Sequence, residues 1–202
     1  MIAYLRNPSA IYEKSFATIR GEVDLSSVPV DAQAIAIRII HACGMVDAMN
    51  DLRISADFTA AATKALNRPI LTDAEMVRHG ITDKSLNIIC TLNDPGTREI
   101  GVATKTTRSA AAVELWSPHL PGALVVIGNA PTALFRLLEL IDKGFPIPAA
   151  IAAFPVGFVG AAESKDELVR NPRGIPYATI LGRRGGSAMA AALVNALSKG
   201  LA

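Results

Sequence analysis

The sequence predicts a three-layer α/β/α fold, with helices on both faces of a mostly parallel sheet of about five strands. From Pro69 onward, short apolar runs alternate with helical patterns, the order that produces parallel strands joined by right-handed crossovers. Runs such as Ala123 to Ile127 and Ala149 to Phe154 are apolar without a break, as strands covered on both faces are. Glycine and proline stand between these strand patterns and the helical patterns that follow, as in Gly128 to Pro131 and Gly182 to Gly186, which is strand-to-helix punctuation.

The elements follow in order. Asn7-Pro8-Ser9 caps a first helix over Ser9 to Ile19. Ser26 to Val30 reads as a loop, and Asp31 as the cap of a long helix from Ala34 through His41. Ala60 to Leu66 is an alanine-rich helix, Pro69 to Thr72 a short strand, and Ala74 to His79 one or two helical turns. Leu86 to Leu92 reads as a strand and Ser109 to Trp116 as a helix. Three further pairs follow: strand Ala123–Ile127 with helix Pro131–Lys143, strand Ala149–Phe154 with helix Ser164–Arg170, and strand Tyr177–Leu181 with helix Ser187–Lys199. Neither a repeat nor a long linker divides the chain, so residues 1–202 are expected to form a single domain.

Composition removes several function classes. The chain is 50% hydrophobic and 19% charged, far from the balance of a disordered protein. Its 20 basic residues are matched by 18 acidic ones. They are scattered apart from Arg183-Arg184, so no basic face for nucleic acid is expected. Cys43 and Cys90 make no disulfide framework, and His41, His79 and His119 lie too far apart in sequence to suggest a metal site. The N-terminal residues lack the form of a signal peptide, and a cytoplasmic location is expected. Phe145 to Ala162 carries no charge over 18 residues, close to the length of a membrane span. Three prolines and two glycines interrupt it and would strand backbone groups in lipid. It reads instead as a buried strand and a glycine-rich turn, and no membrane association is expected.

In open parallel sheets, ligands bind beyond the carboxyl ends of the strands. Three segments fall there: Gly128-Asn129-Ala130-Pro131-Thr132, Pro155 through Lys165, and Gly182-Arg183-Arg184-Gly185-Gly186-Ser187. Each is expected to end at a helix N-terminus, where free N–H groups and the positive end of the dipole suit carboxylates. Any one of them also reads as a plain turn; three at one sheet edge point to a ligand cradle. No nucleotide fingerprint of the G-x-x-x-x-G-K-[ST] or G-x-G-x-x-G type accompanies them. His41 lies near a helix end marked by Gly44, with Arg38 three residues earlier on the same face. The pattern fits a helix C-cap, and it also fits an acid–base group beside a cation. Trp116 and Phe135 read as core, Cys43 as a small filler, and Asp73 as an acid partner of Glu75 or a helix cap.

Six stretches together resemble the precorrin-8X and cobalt-precorrin-8 methylmutase family. They are Ser15-Phe16-Ala17-Thr18-Ile19-Arg20, Arg38-Ile39-Ile40-His41-Ala42, Thr107-Arg108-Ser109-Ala110-Ala111, Ile127 through Leu134, Pro155 through Lys165, and Gly182 through Ala188. The resemblance covers nearly the whole chain in the family's order. It implies a parallel α/β sheet, a homodimer with sites near the subunit interface, and a methyl migration from C11 to C12 of a corrin precursor in cobalamin biosynthesis. No added cofactor is implied. The family histidine falls on His41, and family substrate contacts fall on Ser15 and Arg38. The acetate and propionate arms of such a ring call for several anion sites. The expected contacts are therefore Ser15, Arg20, Arg38, Arg108, Asn129, Thr132, Ser164, Lys165, Gly186 and Ser187. Three other readings stay open: a cobalt-containing substrate, a corrinoid-binding carrier without turnover, and an enzyme for another carboxylated ligand.

Overall fold

A computed structural model describes residues 2–201. Its strands are β1 (Leu52–Ile54), β2 (Ile70–Thr72), β3 (Ile88–Ile89), β4 (Leu124–Ile127), β5 (Ala150–Ala153) and β6 (Tyr177–Ile180). Its helices are α1 (Pro8–Glu22), α2 (Gln33–Cys43), α3 (Phe58–Ala65), α4 (Glu75–Gly80), α5 (Pro95–Thr104), α6 (Arg108–Glu114), α7 (Pro131–Asp142), α8 (Ala161–Arg170) and α9 (Ser187–Lys199). The strands form one sheet in the order β1-β6-β5-β4-β2-β3. All neighbours run parallel except β1, which pairs antiparallel with β6.

The alternation of side chains along the strands builds two cores. Ile70, Leu124, Val126, Ala150 and Ala152 face one layer and pack with α1, α2, α3, α4 and α9. Leu71, Val125, Ile127, Ile151 and Ala153 face the other and pack with α6, α7 and α8. Every residue of β4 and β5 is buried, which is why these strands read as unbroken apolar runs. Trp116 is fully buried and its indole N–H donates to Thr91 Oγ1 at 3.0 Å. Phe135 is only half-buried.

The structure differs from the sequence reading at several elements. The sheet gains β1, three residues long, and the helical layers gain α5. The expected strand Leu86–Leu92 shrinks to Ile88–Ile89, an edge strand with β2 as its one partner. Asp31 does not cap α2; it lies in a 3-10 turn, Val30–Ala32, that runs directly into the helix. Helix α8 begins three residues before Ser164, because Gly160 at φ +80° turns the chain into it. The Ser164 N–H therefore donates to Gly160 O within the helix, and Ser164 is not at a helix start.

The segment from Phe145 to Ala162 contains β5 and an exposed turn in which Phe158 and Val159 face solvent. Among the described residues, no helix is long and apolar enough to cross a membrane.

Candidate active site

His41 sits in the last turn of α2, which continues through both Arg38 and His41 and closes at Gly44. The Gly44 N–H donates to Ile40 O at 2.8 Å, so the backbone, and not the imidazole, caps this helix. Helix α1 lies against α2 and presents Tyr12, Ser15, Phe16 and Ile19 at i, i+3, i+4 and i+7 spacing. This stripe receives the histidine. Ser15 Oγ is 2.8 Å from His41 Nδ1, and the imidazole centroid is 5.5 Å from the Tyr12 ring and 5.2 Å from the Phe16 ring. The serine bond engages Nδ1, the two rings flank the imidazole, and His41 lines the adjoining recess.

Arg38 lies over the Tyr12 and Phe16 rings, at 6.0 and 5.7 Å from their centroids. Its Nε donates to Gly200 O at 3.0 Å. Partial burial pulls the His41 pKa below its ordinary 6.5, and the Arg38 cation pulls in the same direction. His41 is therefore held neutral near pH 7 in the absence of ligand.

These groups open onto a recess of about 270 Å³, with Tyr12, Arg38 and His41 on one side and Gly80, Ala188 and Ala191 on the other. From α9, Ala188, Ala191, Ala192 and Asn195 line it. Its volume is below the roughly 300–1,000 Å³ of pockets that enclose a drug-sized ligand, so a macrocycle would enter by one edge.

The remaining expected contacts lie elsewhere. Arg108 is exposed at the start of α6, on the opposite layer, and lines a cleft of about 680 Å³ with Leu92, Asn93, Arg98, Val102 and Thr106. Thr132 is tied to the cap of that helix, with its Oγ1 2.8 Å from Thr107 Oγ1. Asn129 is exposed beside it. Arg20 is exposed in the last turn of α1. The Gly186 N–H is spent on Phe154 O at 2.8 Å, while Ser187 Oγ is buried and has no hydrogen-bond partner among the described residues.

Two expected contacts are internal. Ser164 is fully buried and its hydroxyl donates to Ala161 O at 3.2 Å. Lys165 is also fully buried, and its Nζ donates to Arg184 O at 2.6 Å. Neither offers side-chain surface to a ring. Lys165 instead ties α8 to the 182–186 turn, and Arg184 anchors the same turn through Asp47 and Asp51, both at 2.7 Å.

Burial pulls the Lys165 pKa down to about 8 from 10.5, against the opposing pull of Asp166 and Asp51. The unfolded chain keeps this proton to a higher pH than the folded one, so folding strengthens as pH rises between those two values. Wild type is thus expected to gain stability relative to Lys165→Met from about pH 7.5 to about pH 10. Urea titrations of both proteins check it, and parallel pH trends would contradict it.

The sequence reading missed Tyr12, although its spacing to Ser15 and Phe16 marks the same helical face. It also gave Asp73 the wrong partners. The Asp73 side chain does not cap α4; it accepts the backbone N–H groups of residues 128–130.

Comparison with known proteins bears on the family and the fold. The family model described as precorrin-8X methylmutase matches residues 10–199. A curated precorrin-8X methylmutase of Pseudomonas aeruginosa is 54% identical over 204 residues, covering 98% of each chain. A cobalt-precorrin-8 methylmutase of Methanothermobacter thermautotrophicus is 39% identical over 178 residues, covering 86% of this chain and 83% of the relative. Among solved structures, the precorrin-8X methylmutase of Thermus thermophilus superposes with a TM-score of 0.84 at 32% identity, covering 94% of each chain. By sequence along nearly its whole length and by fold, this chain belongs to the precorrin-8X methylmutase family.

Proposed function

We infer that the chain catalyses the isomerisation of metal-free precorrin-8X to hydrogenobyrinate in cobalamin biosynthesis, moving a methyl group from C11 to C12 of the ring. The observation that carries this reading is the Ser15–His41 pair, 2.8 Å apart beside Arg38 at a recess partly walled by the alanines of α9. Substrate and product are isomers, so any proton lent to the ring must be returned. His41 adds a proton to the conjugated system, which leaves the carbon beside C11 electron-poor. The methyl group crosses with its bonding pair, and His41 recovers a proton. Ser15 holds the imidazole in place, and Arg38 pairs with a carboxylate arm of the ring.

The metal-free substrate is favoured by the higher identity to the relative named for it, 54% against 39% for the cobalt-named one. We propose Arg20, Arg108, Asn129, Thr132 and the Gly186–Ser187 turn as further contacts for the rim. The His41 recess and the Arg108 cleft lie on opposite layers of the sheet, which supports a homodimer in which two copies bring such surfaces to one ring. A cytoplasmic location fits a biosynthetic enzyme of this kind.

The experiment is incubation of the protein with metal-free precorrin-8X and, separately, with its cobalt counterpart. Turnover of the metal-free ring is expected, seen as a progressive change of its absorption spectrum as conjugation is altered. A spectrum that shifts at once on binding and then stays constant makes the chain a carrier. Faster turnover of the cobalt ring overturns the metal-free assignment.

A further inference from the structure

Asp73 follows β2 directly and is 2% exposed. Its carboxylate accepts three backbone N–H groups, from Gly128 at 2.8 Å on Oδ1, and from Asn129 at 3.0 Å and Ala130 at 2.7 Å on Oδ2. These N–H groups belong to the turn that immediately precedes α7, which starts at Pro131. The protein fills this position with its own carboxylate. Burial raises the Asp73 pKa and the three N–H bonds pull it back; an ionised carboxylate, with acceptors alone on both oxygens, matches three donors.

The turn that Asp73 holds touches both halves of the candidate site. A Cβ on Gly128 would come within 2.6 Å of Val77 Cγ2, and within 2.9 Å of Ala190 Cβ and Ser187 Cα. Gly128 is thus pressed against α4 and the start of α9, the helices whose Gly80 and Ala188 line the His41 recess. Two residues past the turn, Thr132 bonds Thr107, and Thr107 Oγ1 accepts the Ala110 N–H at 3.2 Å to cap the helix that begins with Arg108.

We propose that Asp73 is a positioning residue for the methyl shift, a built-in carboxylate that pins the 128–130 turn and so holds the His41 recess and the Arg108–Thr132 surface in register. The proposal rests on the methylmutase reading of the site. It separates from a purely structural role because loss of register weakens engagement of the ring, whereas loss of stability lowers the amount of active enzyme.

Asp73→Asn tests it. The amide keeps the shape of the side chain but sets an NH2 group against at least one of the three N–H donors. Amide exchange at Gly128, Asn129 and Ala130 is expected to accelerate while the other protected amides hold. KM for the ring is expected to rise about tenfold, on the scale of one lost hydrogen bond to a charged group, with kcat within about threefold of wild type. If the three amides loosen and KM does not move, or if activity falls only with the folded fraction, Asp73 is structural and the proposal is overturned. Wild type that turns over no ring defeats the methylmutase reading instead, a result seen without the variant. If Asp73→Asn does not fold, Thr107→Val at the exposed end of the same chain of contacts repeats the KM measurement. A rise of about threefold is expected there from a weakened cap and a lost side-chain bond, and an unchanged KM overturns the proposal.

Discussion

His41→Ala is expected to slow methyl migration by about 10²–10⁴-fold, the span of a positioned acid–base group, while affinity for the ring stays within a few-fold of wild type. The expectation follows from the way the imidazole is mounted. Ser15 engages Nδ1 at 2.8 Å, the Tyr12 and Phe16 rings flank the imidazole, and His41 lines the recess that a ring edge would enter. Alanine removes the proton carrier and one wall of a recess that has several others. Single-turnover spectra would read the chemical step, and titration of the ring's absorption would read binding. Near-wild-type turnover would remove His41 from the chemistry. A loss seen only as weaker binding would make it a contact and not a proton donor.

Much of this site was legible from the sequence, because its central parts are local. Arg38 and His41 share α2, and their spacing places both on one face once the helix is recognised from its aliphatic run and Gly44. The pairing of Ser15 with His41 across 26 positions was not legible from the residues; it depends on how α1 crosses α2, and the family resemblance marked Ser15 only as a substrate contact. Ser164 and Lys165 illustrate the opposite error. Their motif is specific, but Gly160 starts α8 three residues early, and both side chains end in the interior. A buried lysine is rare enough that the sequence favours an exposed role for it. Asp73 escaped for a related reason: its three partners are backbone N–H groups more than fifty positions away, and backbone donors leave no mark in side-chain identity.

The fully buried strands β4 and β5 announce themselves as apolar runs, while β1, with Arg53 exposed at its centre and three residues in all, carries too little pattern to stand out. Helix α5 hid because Thr97 is its one buried residue, so it lacks an apolar stripe. Its start was nevertheless written in Asp94-Pro95, a cap whose carboxylate accepts the Gly96 N–H at 2.9 Å.

Arg38→Gln is expected to weaken binding of the ring by about 10–150-fold, the loss of one hydrogen-bonded charge pair worth roughly 1.5–3 kcal/mol, and to do so more than it slows the bound reaction. A second signature tells this apart from simple damage to the pocket. Arg38 helps to hold His41 neutral when no ring is bound, after the larger effect of burial. Removing the cation should therefore raise the free-state histidine pKa, though not to its ordinary value, since the Tyr12 and Phe16 rings still exclude water. In wild type, a carboxylate arm that pairs with Arg38 cancels the cation's field, so the histidine pKa should rise on binding and load the proton when the ring arrives. In Arg38→Gln that rise should shrink. NMR titration of the His41 ring protons, free and with bound product, measures both. A wild-type pKa that stays put or falls on binding rules out proton loading by this route, and so does a variant whose free-state histidine titrates no higher than wild type. The affinity loss alone would then mark Arg38 as an anchor whose charge the histidine does not sense.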